Sequence, residues 1–387
     1  GSLEVDSGGT IAADGRTINS TGGLIDLCIE GAAEITNGSG VSADSGTEWR
    51  ALGEASGGKI ELAARSLLVD TGSRFTADGR APNVPGGEMN LDAIDAVTIG
   101  QSSQVSVTGG STKRPFGQPD GGLIVVNAAN LIIEESGLLS VSGGQRANGG
   151  HAKLWTFGQL TVNGRIEGRG GLGQGEQSGA SINLGVTGDF NVGPFGIIDT
   201  SAQDRGGVFV AHVMGDANIQ GVITCTASSG AFQQNGGVAK ILTAGDANIS
   251  GVIDVSGEEN WVWSDGLRVP NGAYVNIKAR NIDISGEVIA NGGTGGGLQY
   301  GGGITIRASG HLVNSGTVQA TGQEVDTGWA EIVIDYLTHD LDHGIFEPPP
   351  ALPQYGRNPD PPGDNTPSQE EFGFAVAIDG NYAIVGN

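Results

Sequence analysis

Aromatic residues, cations and cysteines are all scarce in this sequence. Aromatic residues make up 5% of its 387 residues, 19 Lys and Arg face 43 Asp and Glu, and only two cysteines occur. So few large side chains exclude a thick globular core, although aliphatic side chains could still fill a narrow one. The net charge of −24 disfavours nucleic acid and anionic membranes as partners, because both would repel the protein.

Long apolar runs are also missing. No stretch approaches the roughly 20 apolar residues that a membrane-spanning helix needs, so no membrane span is predicted. The 71 glycines follow no three-residue period, which excludes collagen. The hydrophobic content of 37% argues against a wholly disordered chain.

What the sequence does contain is a repeat, in which a glycine step is followed by alternating apolar residues about every 30 residues. The steps begin at Gly22, Gly57, Gly86, Gly121, Gly149, Gly179, Gly206, Gly236, Gly272 and Gly301, with a degenerate copy near Gly328. We expect these glycines to form corners that need positive φ, which glycine adopts without strain.

Within each copy the apolar residues have a period of two, which is typical of strands with one buried face. Ile124, Val126 and Ala128 illustrate the first strand, and Leu139 and Val141 a later one. Stacking of such copies would bury continuous aliphatic columns. The sequence therefore predicts an all-β, right-handed parallel β-helix (a solenoid) of about eleven coils over residues 1–345.

Both cysteines, Cys28 and Cys225, fall at predicted inward positions. They lie about six coils apart, which at roughly 4.8 Å per coil is beyond disulfide reach. We expect both to be small buried residues.

The pattern Gly-Gly-x-Ile-x-Ile-x-Ala, seen at Gly301–Ala308, resembles the glycine-rich β-helices of large bacterial surface proteins and filamentous-haemagglutinin-type adhesins. The pectin-lyase-like fold class is the wider group. The resemblance covers roughly residues 8–345. It implies a secreted, cell-surface structural or adhesive protein, and it implies little about any activity.

Residues 346–371 are rich in proline and are predicted to form an extended linker. Residues 372–387 contain two apolar runs around Asp379-Gly380-Asn381, which predict a β-hairpin. This segment resembles the start of an FG-GAP repeat but lacks the Asp-rich calcium loop of that family. Either the natural protein continues beyond it, or the hairpin docks on its own solenoid or on a neighbour. Its candidate docking residues are Phe372, Phe374, Val376, Ile378, Tyr382 and Ile384.

Uncapped solenoid ends expose unpaired strand edges, so we expect self-association, either head-to-tail into a fibre or by strand donation from the hairpin. No polar helical cap is obvious before Gly8 or after Gly344.

The candidate catalytic residues are Arg165, Glu167 and Arg169 in one coil and Asp199 in the next. Stacked carboxylates beside arginines could act as acid and base on an acidic polysaccharide, as in a lyase or glycoside hydrolase. Equivalent positions in other coils hold Ser, Thr or Gln, so a solvated surface ladder explains the same pattern.

A stripe of cations precedes the glycine steps and could bind cell-surface or matrix glycans, or could neutralise neighbouring acids. Its members are Arg50, Arg80, Lys113, Arg114, Arg146, Arg169, Arg205 and Arg268. Trp49, Trp261 and Trp263 lie in long turns, where they could stack on sugars or pack on their own coil.

Asp189, Asp216 and Asp246 recur at the same position of three adjacent coils and could hold Ca²⁺. Asn191, Asn218 and Asn248 follow them, and such stacks are also formed by hydrogen bonds alone. No other cofactor is predicted. The leading prediction is an extracellular scaffold or adhesin, and the alternative is a polysaccharide-cleaving enzyme.

Overall fold

A computed structural model describes most of the chain. The described residues are 1–17, 20–46, 55–81, 83–110, 120–171, 177–228, 235–257, 273–292, 302–321, 331–340, 345–347, 375–379 and 382–386. Regular structure in these ranges is entirely β. The described residues contain no helix that is long and apolar enough to cross a membrane.

The strands follow one another in short, closely spaced groups. The first are β1 (Leu3–Val5), β2 (Thr10–Ala12), β3 (Leu24–Cys28), β4 (Ala32–Ile35), β5 (Gly40–Ser42), β6 (Lys59–Ala64), β7 (Ser66–Val69), β8 (Arg74–Thr76), β9 (Glu88–Ala93), β10 (Ala96–Ile99), β11 (Gln104–Ser106), β12 (Leu123–Ala128), β13 (Asn130–Ile133) and β14 (Leu138–Ser140). Next come β15 (His151–Thr156), β16 (Leu160–Val162), β17 (Arg165–Glu167), β18 (Ser181–Val186), β19 (Phe190–Val192), β20 (Ile197–Asp199), β21 (Val208–Val213), β22 (Ala217–Ile219) and β23 (Val222–Thr224). The last are β24 (Val238–Thr243), β25 (Ala247–Ile249), β26 (Val252–Asp254), β27 (Tyr274–Ala279), β28 (Ile282–Ile284), β29 (Glu287–Ile289), β30 (Gly303–Asn314), β31 (Thr317–Gln319), β32 (Glu331–Asp340), β33 (Ile345–Glu347), β34 (Ala375–Asp379) and β35 (Tyr382–Gly386).

Strands β1 to β33 stack in parallel into three faces, so the predicted all-β parallel solenoid is confirmed. The first face runs β3, β6, β9, β12, β15, β18, β21, β24, β27, β30 and β32. The second runs β1, β4, β7, β10, β13, β16, β19, β22, β25, β28 and the end of β30. The third stacks 12 strands, from β2 to β33.

About nine turns carry a complete set of three separate strands, from β3 to β29, slightly fewer than the eleven predicted coils. Strands β1 and β2 precede these turns. In the coil that follows them, the first and second faces share the single long strand β30, whose register shifts between Ala308 and His311. The sequence repeat therefore counts partial coils that lack the full set of strands.

The core is one continuous aliphatic column that fills the space between the three faces. Alternate residues of strands β3 to β31 point into it, as Ile124, Val126 and Ala128 do with no exposed surface. Its few aromatic residues are fully buried, and the rings of Phe190 and Phe209 lie 6.2 Å apart. The period of two in the sequence thus placed these residues correctly on the inward side.

The glycine steps have a different cause from the predicted one. The described glycines with positive φ are Gly8, Gly38 and Gly72, none of which belongs to a glycine step. At Gly121, which does, a β-carbon would collide with the carbonyl oxygen of Val141. Glycine is therefore required because the backbones of adjoining corners touch, and the prediction of positive φ was wrong for the steps.

The two cysteines also differ. Cys225 is buried as predicted, but Cys28 is exposed. Cys28 ends β3 and lies in register with the exposed Ala63 of β6, on the side of the strand opposite to the buried Ile25, so its side chain lies at the outer surface of the first face. The prediction that Cys28 points inward was wrong.

The C-terminal segment forms the predicted pair of strands. Strand β34 pairs antiparallel with β35, with Ile378 opposite Ala383. Strand β33 extends the third face two residues into the segment assigned to the linker, because Phe346 pairs with Val318. The rest of the linker, Phe372 and Phe374 lie outside the described residues.

Candidate functional site

The four residues proposed for catalysis meet on the outer side of the third face. Strands β17 and β20 are neighbours in register, with Glu167 opposite Asp199. Their shared inward residues, Ile166 and Ile198, are fully buried. The alternation of the strands therefore turns both carboxylates outward, as the sequence indicated.

Two arginines close this cluster. The Nη2 and Nε atoms of Arg169 both lie 2.5 Å from Oδ2 of Asp199, and Nε lies 3.3 Å from Oε1 of Glu167. Arg165 approaches the two carboxylates at 3.8 and 3.9 Å. Partial burial lowers the pKa of Arg169, but the hydrogen bond and charge of Asp199 outweigh burial and raise it overall.

The arginines and carboxylates of this cluster neutralise one another. Only 4% of the Asp199 side chain is exposed, and its second oxygen accepts the backbone N–H of Ser201 at 2.9 Å. Two guanidinium groups thus balance two carboxylates, and little carboxylate surface remains for a substrate. This geometry favours a structural ion-pair network over acid–base catalysis.

The predicted cation stripe is only partly within the described residues. Arg80, Arg146, Arg169 and Arg205 are described, whereas Arg50, Lys113, Arg114, Arg268, Trp49, Trp261 and Trp263 lie outside the described ranges. Arg80 pairs with Asp44 and lies 3.7 Å from Asp14. Arg80 and Arg169 therefore act as neutralising partners of neighbouring acids, which is the second of the two interpretations offered for the stripe.

The partner of Arg80 belongs to a buried acidic corner that sequence reasoning missed. Asp44 accepts the N–H of Asp78 at 2.7 Å and the hydroxyl of Thr76 at 3.1 Å. Burial, helped by the nearby charge of Asp78, raises the pKa of Asp44 to about 6 against the opposing pull of Arg80 and these hydrogen bonds. Burial raises the pKa of Asp78 as well. Asp44 follows the alternating residues Val41 and Ala43 at the end of β5. That alternation alone does not show that the acid after the strand is buried.

The aspartates proposed for calcium form a ladder of side chain to backbone hydrogen bonds at the corner after the first face. Asp189 accepts the N–H of Asp216 at 2.9 Å, and Asp216 accepts that of Asp246 at 2.8 Å. Arg280 makes a two-pronged bond to Asp246, at 2.8 and 2.9 Å, which lowers the pKa of that carboxyl.

Neutral residues make the same bond elsewhere in this corner column. Asn130 accepts the N–H of Gln159, and Asn281 that of His311, both at 2.9 Å. A negative charge is therefore not required for the ladder. Within the described ranges, no group of three or more His, Cys, Asp or Glu side chains is placed to hold a metal ion. The predicted asparagine stack is present, since Asn218 bonds Asn191 and Asn248 bonds Asn218.

The site that sequence reasoning missed is a groove on the first face around Trp155. Its indole lies over Gly185 of the next strand, where any β-carbon would collide with the ring. Trp155 is 47% exposed, and Phe157 and Met214 beside it are 76% and 71% exposed. The groove has a volume of about 360 Å³, and His212 and Leu242 also line it.

The signal for this groove lay in the outward columns. Trp155, Gly185, His212 and Leu242 occupy one outward column of four consecutive strands, because the strands stack in strict register. The inward apolar pattern of the repeat carries no information about such an outward column. Had the outward residues been aligned coil by coil, a large ring beside a glycine would have been visible.

The fold and these surfaces define the protein as a parallel β-solenoid. Comparison with models of protein families found no match, and neither a curated protein nor a solved structure matches the chain. Function must therefore be argued from the surfaces of the solenoid themselves.

Proposed function

We propose that this chain is an extracellular solenoid with a structural and adhesive role. It contacts its ligand through the groove around Trp155, His212 and Leu242, which we call the tryptophan groove. The observation that carries the proposal is the exposed Trp155 platform on a continuous parallel sheet. Exposed apolar groups of this size on a soluble protein commonly mark an interaction site. The ring is fixed from below by Gly185, so binding would cost little conformational entropy.

A role in adhesion fits the remaining observations better than catalysis does. The acid–arginine cluster is neutralised within itself, and the other carboxylates at strand ends serve the hydrogen-bonded corners. Aromatic rings in shallow grooves bind sugars by stacking and need no titrating group. The resemblance to glycine-rich surface β-helices supports the extracellular setting.

The test is binding of the intact chain to immobilised glycans and to cell surfaces, with Trp155→Ala as the variant. We expect Trp155→Ala to lose about fivefold to tenfold in affinity, since stacking on one aromatic ring is worth roughly 1–1.5 kcal/mol. Phe195→Ala is the matched control, because Phe195 is 70% exposed but lies away from the groove. Equal loss in both variants, or no binding by the native chain, would contradict the proposal.

The enzyme alternative keeps a specific prediction because Glu167 and Asp199 do lie side by side. The native chain is incubated with alginate, pectin and sulfated glycans, and unsaturated products and reducing ends are measured. Product formation by the native chain that is lost in Glu167→Gln would support the enzyme hypothesis. We expect no product from either chain, because the guanidinium groups already occupy both carboxylates.

Self-association, through solenoid ends or by the hairpin β34–β35, stays a prediction. Light scattering over a range of concentrations measures it, and negative-stain microscopy distinguishes rods joined end to end from single rods. A particle mass that stays at the 39.0 kDa of one chain at high concentration would contradict it.

A further inference from the structure

The outward residues of the first face change character along the solenoid. In seven consecutive strands, from β12 through the first part of β30, the outward positions carry no carboxylate. The same positions carry the basic side chains His151, Lys153, His212, Lys240, Lys278 and Arg307. A chain with a net charge of −24 therefore keeps one long face free of negative charge. We call these seven strands the basic stretch.

Among the described residues, no acidic side chain forms an ion pair with the basic side chains of this stretch. Lys153, Lys278 and Arg307 are exposed, and none of the ion pairs among the described residues involves them or Lys240. Lys278 lies directly opposite Arg307 in the register. Like charges in that position destabilise a sheet, so the arrangement suits an anionic ligand better than it suits stability.

Carboxylates border the basic stretch at the adjoining corner and at its far end. At the adjoining corner, Asp189 and Asp216 accept backbone N–H groups and Asp246 is paired with Arg280. At the far end, Asp335 of β32 stands opposite Arg307 and closes the stretch. Acids therefore border the stretch at β32 and at the corner, while the outward positions between these borders carry no carboxylate.

The basic stretch contains the tryptophan groove. His151 and Lys153 share strand β15 with Trp155, and His212 lines the groove itself. Asn183 projects from the next strand on the same outward side as Lys153. In such a shallow surface an aromatic platform can stack on a sugar ring, and an amide can bond the hydroxyls of the sugar. The cations can bind an acidic substituent of the same sugar.

We propose that the basic stretch binds a linear acidic polysaccharide, with one sugar ring on Trp155 and its carboxylate or sulfate groups along the lysines. This inference rests on the proposed function, because it names the ligand class of the same groove. The seven strands span about 29 Å at the usual strand spacing, which is room for several sugars. Nucleic acid is disfavoured because its dense charge meets the acidic remainder of the protein.

The experiment compares two matched pairs of polymers, each offered to the intact chain in titration calorimetry at low ionic strength. Polygalacturonate is paired with its fully methyl-esterified form, and dextran sulfate with dextran. We expect at least one charged polymer to bind about tenfold or more tightly than its neutral partner, with affinity falling as salt is added.

Two variants locate the binding. Lys240→Glu reverses one charge within the basic stretch, and Lys59→Glu makes the same change on β6 of the same face, outside the stretch. We expect Lys240→Glu to weaken the charged polymer about tenfold and Lys59→Glu to change it by less than about twofold. Circular dichroism spectra that match the native chain show that both variants are folded.

The outcomes separate this inference from the proposed function. Equal affinity for charged and neutral polymers, with loss in Trp155→Ala, overturns the acidic ligand class and supports the adhesive role. Absence of binding to all four polymers overturns the inference, and the cell-surface assay then decides the adhesive role independently. Equal weakening by Lys59→Glu, or tighter binding of single-stranded DNA than of either acidic polymer, also overturns it.

Discussion

The first face has an acidic beginning and a basic continuation, although its backbone is the same throughout. Outward positions of β3, β6 and β9 carry Asp26, Glu61, Glu88 and Asp92, and Lys59 pairs there with Glu61 and Glu88 at 2.7 and 3.4 Å. The basic stretch from β12 to β30 has no such pair. Parallel pairing and the inward columns continue unchanged across the boundary, so the change in outward residues leaves the fold the same.

The largest expected effect tests whether the two regions really share one core. Phe75, on the third face near the acidic strands, and Phe209, within the basic stretch, are both fully buried. We expect Phe75→Ala and Phe209→Ala to lower the free energy of unfolding by a similar amount, about 3–5 kcal/mol each. Denaturant unfolding followed by circular dichroism measures this. A loss confined to one variant would show that the coils unfold as separate units.

The next effect is the dependence of the free energy of unfolding on pH. We expect it to have opposite signs at Asp44, near the acidic strands, and at Asp246, beside the basic stretch. The folded-state pKa of Asp44 is raised from 3.8 to about 6, so its contribution to stability is present below pH 4 and is lost as pH rises through about 6. The loss is on the order of 3 kcal/mol. Asp44→Asn should remove that dependence when unfolding is measured between pH 4 and pH 7.

Asp246 should show the opposite trend. Arg280 lowers its folded-state pKa, so its stabilising contribution is present above its ordinary pKa and is lost as pH falls through the lowered value. Unfolding of Asp246→Asn should therefore be less sensitive to acid below pH 4 than that of the native chain. If Asp44→Asn and Asp246→Asn flatten the same part of the pH profile, one of the two assignments is wrong.

The rates at which Cys28 and Cys225 react with a thiol reagent measure how accessible the solenoid is at the acidic strands and within the basic stretch. Cys28 is exposed on β3, whereas burial raises the pKa of the Cys225 thiol to about 12. We expect a thiol reagent at pH 8 to modify Cys28 at least about 100-fold faster than Cys225, because only the thiolate reacts. Peptide mass spectrometry measures the two rates. Comparable rates in the native chain would mean that the coil around Cys225 opens readily.

The smallest effect is that of the exposed lysines on stability. Lys59→Met removes two surface ion pairs, to Glu61 and Glu88, and Lys153→Met removes a lysine that has none among the described residues. We expect Lys59→Met to lower Tm by no more than about 2 °C and Lys153→Met to leave it unchanged or slightly raised. Thermal scans of both proteins in low salt make the comparison. A larger loss in Lys153→Met would show that this lysine has a structural partner.

The inward half of the molecule could be predicted from the sequence, and the outward half could not. Alternation at Ile124, Val126 and Ala128 fixes which side chains are buried, because only one register hides them all. The predicted neighbours Glu167 and Asp199 do meet, since strands in register place equivalent residues side by side. Their roles did not follow, because pairing with Arg169 depends on side-chain conformations that spacing cannot specify.

The remaining errors have physical causes of the same kind. Cys28 fits the alternation only if the strand is read one residue out of step, a slip that exchanges the two sides. The glycine steps suggested a conformational reason, whereas a β-carbon at Gly121 would collide with the carbonyl oxygen of Val141 and with the backbone nitrogen of Gly150 in the next coil. Such contacts between coils become visible only after the coils have been aligned with one another.

Strict register across the first face also makes the solenoid a molecular ruler. Duplicating one coil within the basic stretch would move the flanking lysines apart by a single strand spacing, about 4.8 Å, and would leave every other pairing intact. Ligand length could thus be matched in whole increments during evolution or by engineering, without redesign of the interior. Gly185 is an outward position where such copying is constrained, because a side chain there would collide with the indole of Trp155.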